Sequence, residues 1–165
     1  MFTLQTTENL SKTELYDELT RQTEALLQGE TDAIANAANL SSLLYHALPQ
    51  VNWVGFYFHR NGELIVGPFQ GKPACVHIEI GKGVCGTAAA KRETIVVDNV
   101  HEFPGHIACD SASNSEIVVP LAVNDRLVGV LDIDSPEFNR FDAIDRRGLE
   151  SIVEIFLRYT TVWVE

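Results

Sequence analysis

The stretch spanning residues 115–136, SEIVVPLAVNDRLVGVLDIDSP, constrains the fold more than any other. Its two arms are rich in Val, Leu and Ile and read as strands. Asn124 and Asp125 between them tolerate the positive φ that both centres of a two-residue hairpin loop require. On the second arm Leu127, Gly129, Leu131 and Ile133 alternate with Val128, Val130, Asp132 and Asp134, and a period of two places both aspartates on one face among valines. Ionised carboxylates are expensive to desolvate. Two on a strand face, with Glu116 entering the other arm, therefore point to a site that receives a cation or supplies a proton. The competing reading is a strand end that opens into water.

Register qualifies this expectation. With Val123 opposite Arg126, an unbroken ladder pairs Ile117 with Asp132 and Glu116 with Ile133, which sends Glu116 to the wrong face. Proline cannot donate to a ladder and marks edges and bulges, so one bulged residue near Pro120 is expected to bring Glu116 round to the aspartates.

Charge narrows the function. Twelve Lys and Arg against 23 Asp and Glu give a formal charge of -11, which repels phosphate backbones and anionic lipid, so neither nucleic acid nor membrane is an expected partner. The N-terminus has no signal or transit pattern and no apolar run is long enough to span a bilayer, which points to a cytoplasmic protein. Three cysteines are too few for a secreted disulfide framework. In a reducing compartment they are buried small hydrophobes or chemically used. At 165 residues and 45% hydrophobic, residues 1–165 are expected to form a single domain, with N-terminal helices over 1–48, a sheet and its site loops over 51–134, and a closing helix over 139–162.

Leu15, Leu19, Ala25, Leu26 and Leu27 fall at the spacings of an amphipathic helix that ends near Gly29. A second helix is expected over residues 31–47, capped by Thr31 or Asp32, burying Ala33, Ile34, Ala37, Leu40, Leu44 and Ala47, and stopped by Pro49. Both read as packing elements. VNWVGFYF, residues 51–58, is a strand with Val54, Phe56 and Phe58 on one face and Trp53, Gly55 and Tyr57 on the other. The Trp and Tyr are either core or one wall of a pocket. Arg60, Asn61, Gly62 and Glu63 turn the chain into a return strand at 64–67, and residues 67–74 form a loop that leads to Cys75.

After a strand at 76–80, GKGVCG precedes a helical run at 87–91 and literally satisfies a dinucleotide fingerprint. The helix is short and the strands come as hairpins rather than a parallel series, so nicotinamide and flavin are set aside. The glycines suit a tight strand-to-helix entry whose backbone N–H groups could hold a carboxylate. A short strand at 94–97 follows. Residues 98–114 form a long polar loop with His101, His106 and Cys109, and such loops bind, cover or react. A closing helix, capped by Ser135 or Asn139, carries Ile144, Leu149, Ile152, Val153, Ile155, Phe156 and Tyr159. Cys75 with His77 and His106 with Cys109 match no common zinc spacing, and no Gly-x-Ser-x-Gly turn supports a serine hydrolase.

The order of strands, short helix, hairpin and closing helix resembles a GAF domain over essentially the whole chain. Within that superfamily GKGVCGTAAA, FPGHIACDSASNSEIVVPL and GVLDIDSP resemble the free methionine-(R)-sulfoxide reductases, with the three family cysteines at Cys75, Cys85 and Cys109. The resemblance implies an α+β fold, an antiparallel sheet with helices on one face and a closed ligand pocket on the other. It implies reduction of free methionine sulfoxide, the R epimer at sulfur, with thioredoxin recycling; neither a metal nor an organic cofactor is expected from the spacings above. By matching position Cys109 is the nucleophile, Cys75 the main resolving thiol and Cys85 a second relay. Glu116, Asp132 and Asp134 would hold the substrate ammonium and supply a proton, while Trp53 and Tyr57 enclose its methyl-sulfur end. A non-catalytic GAF sensor of a small ligand or of redox state is the alternative, although 165 residues leave little room for an output domain. The N-terminal helices carry enough apolar surface for a homodimer.

Overall fold

The computed structural model describes residues 9–105 and 112–162. Helix α1, Lys12–Leu27, starts at a capping box in which Ser11 and Glu14 satisfy each other's backbone N–H groups. Helix α2, Ala33–Ala47, is capped by Asp32, whose side chain accepts from Ala35 N at 2.8 Å. Strands β1, Trp53–Arg60, and β2, Glu63–Gln70, are joined by Asn61 and Gly62, both at positive φ. Strand β3, His77–Glu79, helix α3, Gly83–Lys91, and strand β4, Ile95–Val97, follow, then a 3-10 turn at Val100–Glu102. Strands β5, Ser115–Val123, and β6, Arg126–Ser135, form the hairpin, with Asn124 and Asp125 at φ 50° and 62°. Helix α4, Ala143–Tyr159, closes the fold.

All strand pairs are antiparallel, in the order β3-β2-β1-β6-β5-β4. The central strands alternate as a period of two demands. Val54, Phe56 and Phe58 enter one core with α1, α2 and α4; Trp53 and Tyr57 enter a second one with α3. Phe56 is fully buried and stacks on Phe156 of α4 at 4.9 Å. Burial of such a ring contributes roughly 2–3 kcal/mol. Asp145 is also fully buried, yet Lys12 at 2.7 Å, Arg140 at 3.0 Å and the Tyr16 hydroxyl at 2.9 Å surround its carboxylate and tie α1 to the start of α4. Among the described residues, no helix is long and apolar enough to cross a membrane.

Several boundaries differ from expectation. The closing helix is capped by Asp142 rather than Ser135 or Asn139: Ser135 still belongs to β6, and Asn139 sits at φ 53°, a turn conformation. Strand β2 runs through Gly67 and Pro68 to Gln70 instead of stopping at residue 67, because a register shift between Gly55 and Tyr57 re-establishes its pairing with β1. Helix α3 begins inside the glycine stretch. Ala25 and Ile34 point to solvent, their places in the helix-side core taken by Tyr16 on α1 and Leu43 on α2.

The expected closed pocket is corrected to an open one. Among the described residues the sheet ends at β3 on one edge and β4 on the other without joining into a barrel. The three long helices cover one face. Among the described residues the short α3 alone spans the other, and the cavity beneath it has a mouth edged by exposed Lys72, Pro73 and Lys82.

Candidate active site

The hairpin register decides which side chains meet. Val123 pairs with Arg126 and Ala122 with Leu127, but Leu121 pairs with Gly129, so Val128 is an extra residue in β6. From there inward Val118 opposes Asp132, Ile117 opposes Ile133 and Glu116 opposes Asp134. Directly opposed residues share a face, so Glu116 joins the aspartates. A bulge was required and is present, yet it does not fall at Pro120, which pairs regularly with Val130. It falls beside Gly129, where a side chain would lie 2.1 Å from the Tyr57 carbonyl oxygen; the absent Cβ lets β6 press against β1 at the kink. The extra residue also moves Val128 into the helix-side core, away from Val130 and the aspartates.

Strand β1 supplies the second wall. Trp53 opposes Asp134 and Gly55 opposes Asp132. The Trp53 indole stacks on Tyr57 at 5.8 Å and on Phe69 at 5.2 Å. Together with the first turn of α3 these strands enclose a cavity with about 540 Å³ of empty space including its mouth, lined by Trp53, Tyr57, Cys85, Glu116, Asp132 and Asp134 among others.

Cys85 lies on α3 directly over the carboxylates. Its Sγ is 4.0 Å from Glu116 Oε1, and one ligating atom each from Cys85, Glu116 and Asp132 fall within 4.8 Å of one another. All three are buried. Burial, then the neighbouring carboxylates, push the Glu116 carboxyl well above its usual range. Burial raises Asp132 to about 7, opposed by hydrogen bonds from Cys85 and Glu116. Burial and the charges of Asp132 and Glu116 likewise push the Cys85 thiol up and hold it neutral. The pair therefore keeps a proton near neutral pH. Asp132 Oδ1 is buried without a hydrogen-bond partner among the described residues. An orphaned buried acceptor beside two further carboxylates is suited to a positive charge, a metal ion or an ammonium group.

Comparison with known proteins agrees with this geometry. The GAF domain family model matches residues 32–156. The free methionine-R-sulfoxide reductase of Escherichia coli is 53% identical over 144 residues, 87% of this chain and 87% of that protein. The X-ray structure of the free methionine-R-sulfoxide reductase from Neisseria meningitidis in complex with its substrate superposes with a TM-score of 0.92 at 43% identity, covering 96% of this chain and 95% of that one. That of the Staphylococcus aureus enzyme in complex with substrate gives 0.84 at 54% identity, over 87% and 94%. The chain belongs to the free methionine-R-sulfoxide reductase family of GAF domains.

Of the site residues named from sequence, the structure brings together Trp53, Tyr57, Cys85, Glu116, Asp132 and Asp134. Cys75 is disulfide-bonded and Cys85 is free. Cys109 and His106 lie outside the described residues. His77 turns away to Glu63, 3.0 Å distant, rather than pairing with Cys75. The sequence reading missed Ser113, Ile78 and the segment Lys72, Pro73 and Ala74, all of which line the cavity. Ser113 accepts from Asn52 Nδ2 at 3.1 Å. Its only signal was its place in the run of small polar residues ahead of the hairpin. Phe69 was also missed, since residues 67–70 read as loop.

Proposed function

We propose that this chain reduces free L-methionine (R)-S-oxide to methionine through a cysteine sulfenic acid. One observation carries the reading: a buried, proton-bearing carboxyl pair, Glu116 and Asp132, shares a sheet face with an aromatic wall of Trp53 and Tyr57. The orphaned Asp132 oxygen and Asp134 receive the substrate ammonium. The carboxylate rests at the start of α3, where Lys82 gives no side-chain cap and backbone N–H groups are available. The methyl-sulfur end lies against Trp53 and Tyr57, where sulfur–aromatic contact is favourable.

Cys109 attacks the sulfoxide sulfur while the carboxyl pair protonates the oxygen, which becomes a hydroxyl transferred to the cysteine sulfur as methionine departs. The Cys109 sulfenic acid condenses with Cys75, releasing water and leaving a disulfide. A disulfide-bonded Cys75 supports this pairing. Cys85 stays reduced: its burial and neutral thiol argue against the relay role and leave it as a weak donor toward Glu116. Thioredoxin in a reducing cytoplasm restores the dithiol. Ile34, 45% exposed on α2, offers apolar surface for pairing of two copies.

The test is direct. With dithiothreitol as reductant, free methionine (R)-sulfoxide should yield methionine while the S epimer does not. Failure of the R epimer to turn over would overturn the proposal.

A further inference from the structure

The segment that carries Cys75 is fastened to the aromatic wall of the cavity. Trp53 Nε1 donates to the Lys72 carbonyl at 3.0 Å. Gly71, the preceding residue, sits at φ +125°, a conformation that L side chains rarely adopt. A Cβ there would lie 2.7 Å from Trp53 Cδ1 and 2.7 Å from the Asn52 carbonyl oxygen, so the loop backbone rests directly on the edge of the indole. The indole is itself packed: it is 3% exposed and stacks on both Tyr57 and Phe69. Lys72, Pro73 and Ala74 then run along the cavity, and the next residue is Cys75.

We infer that the bond from the Trp53 N–H to the Lys72 carbonyl presents Cys75 for resolution of the sulfenic acid, which makes Trp53 a positioning residue for the second half of the reaction as well as a wall for the first. The inference rests on the reading of Cys75 as resolving thiol. In the step concerned the Cys75 sulfur attacks the Cys109 sulfenic sulfur; the S–S bond forms, the S–O bond breaks, and hydroxide leaves with the Cys75 proton as water. Both electrons needed come from the Cys75 thiol, so no outside reagent enters. Loops that position reacting groups matter because a displacement of about 1 Å can slow a reaction on the order of a hundredfold. A loop hydrogen-bonded to a packed ring holds its backbone closer to one position than a loop without that bond.

Single-turnover rapid quench with free methionine (R)-sulfoxide separates the halves, methionine reporting the first and disulfide the second, with a 1,3-dione to trap sulfenic acid. Trp53→Phe keeps an aromatic ring and removes the N–H. In it the ratio of the resolution rate to the methionine-release rate should fall about tenfold, with trapped sulfenic acid accumulating. Gly71→Ala, which displaces the loop from the indole, should lower the same ratio about tenfold. A parental ratio in Trp53→Phe, or equal slowing of both halves in Gly71→Ala, overturns the inference. Cys75→Ser is the control. If it traps sulfenic acid while Trp53→Phe resolves normally, only the tether fails; if Cys75→Ser itself resolves at the parental rate, the assignment of Cys75 fails.

Discussion

On the helix side of the central sheet Val54, Phe56, Ile117, Leu131 and Ile133 are fully buried and wholly apolar. On the other side the same strands present Trp53, Tyr57, Glu116, Asp132 and Asp134 to a cavity with an open mouth. Neighbours in sequence thus serve opposite ends, Ile133 between two carboxylates and Phe56 between Gly55 and Tyr57. The difference teaches how a small protein can hold an unfavourable charge cluster: the face opposite supplies the stabilisation, and the period of two keeps the two requirements from competing for the same positions.

The sharpest test of this division removes chemistry and leaves the fold intact. Cys109→Ser should abolish methionine formation even in a single turnover, whereas Cys75→Ser should release about one equivalent per chain, because resolution follows release. Loss of the single turnover in Cys85→Ser but not in Cys109→Ser would reverse the assignment. Next in size, blocking the substrate nitrogen should leave a buried carboxylate unpaired, at about 3–5 kcal/mol or roughly a hundredfold to several thousandfold in kcat/KM. Comparable rates on N-acetylmethionine (R)-sulfoxide would contradict that.

On the opposite face, Phe56→Ala should cost about 3–5 kcal/mol of unfolding free energy, measured by denaturant titration, with kcat/KM unchanged where the variant remains folded. A large change in kcat/KM would show that the faces are coupled. The smallest effect on stability is expected from Asp132→Asn. The folded-state carboxyl lies at about 7 rather than 3.8, so the parent binds this proton more tightly when folded and loses stability as pH rises through that window. Removing the group should make the variant more stable than the parent at pH 8 by roughly 1–4 kcal/mol, a gap that narrows toward pH 4, while activity falls. A gap that is constant with pH would show that Asp132 does not titrate as the geometry implies.

Much of the sheet was legible because its signals are local. The VNWVGFYF alternation separated the faces of β1 correctly, and the Asn124–Asp125 turn fixed the hairpin tip. The need for a bulge could also be reasoned out, since Glu116 had no other route to the aspartates. Its position could not. What admits the extra residue at Val128 is the close approach of the Tyr57 carbonyl to Gly129, a contact between strands far apart in sequence. The same holds for the pocket mouth. Trp53 meets Phe69 and the Lys72 carbonyl across the β1–β2 pair, and neither residue carries a local mark of that contact. Openness of the cavity was illegible too, because residues 71–75 show no pattern that distinguishes a covering loop from a rim.

Val128 divides the hairpin into two segments that differ in tolerance to length change. Between the bulge and the Asn124–Asp125 tip, added or lost residues alter only a turn. Inward of it, one residue gained or lost in β6 would exchange the two faces, bringing Ile133 to the cavity and sending Asp132 and Asp134 among the rings of α4 and β1. Substitution can therefore reshape this site one side chain at a time, whereas insertion and deletion can reach it only in pairs.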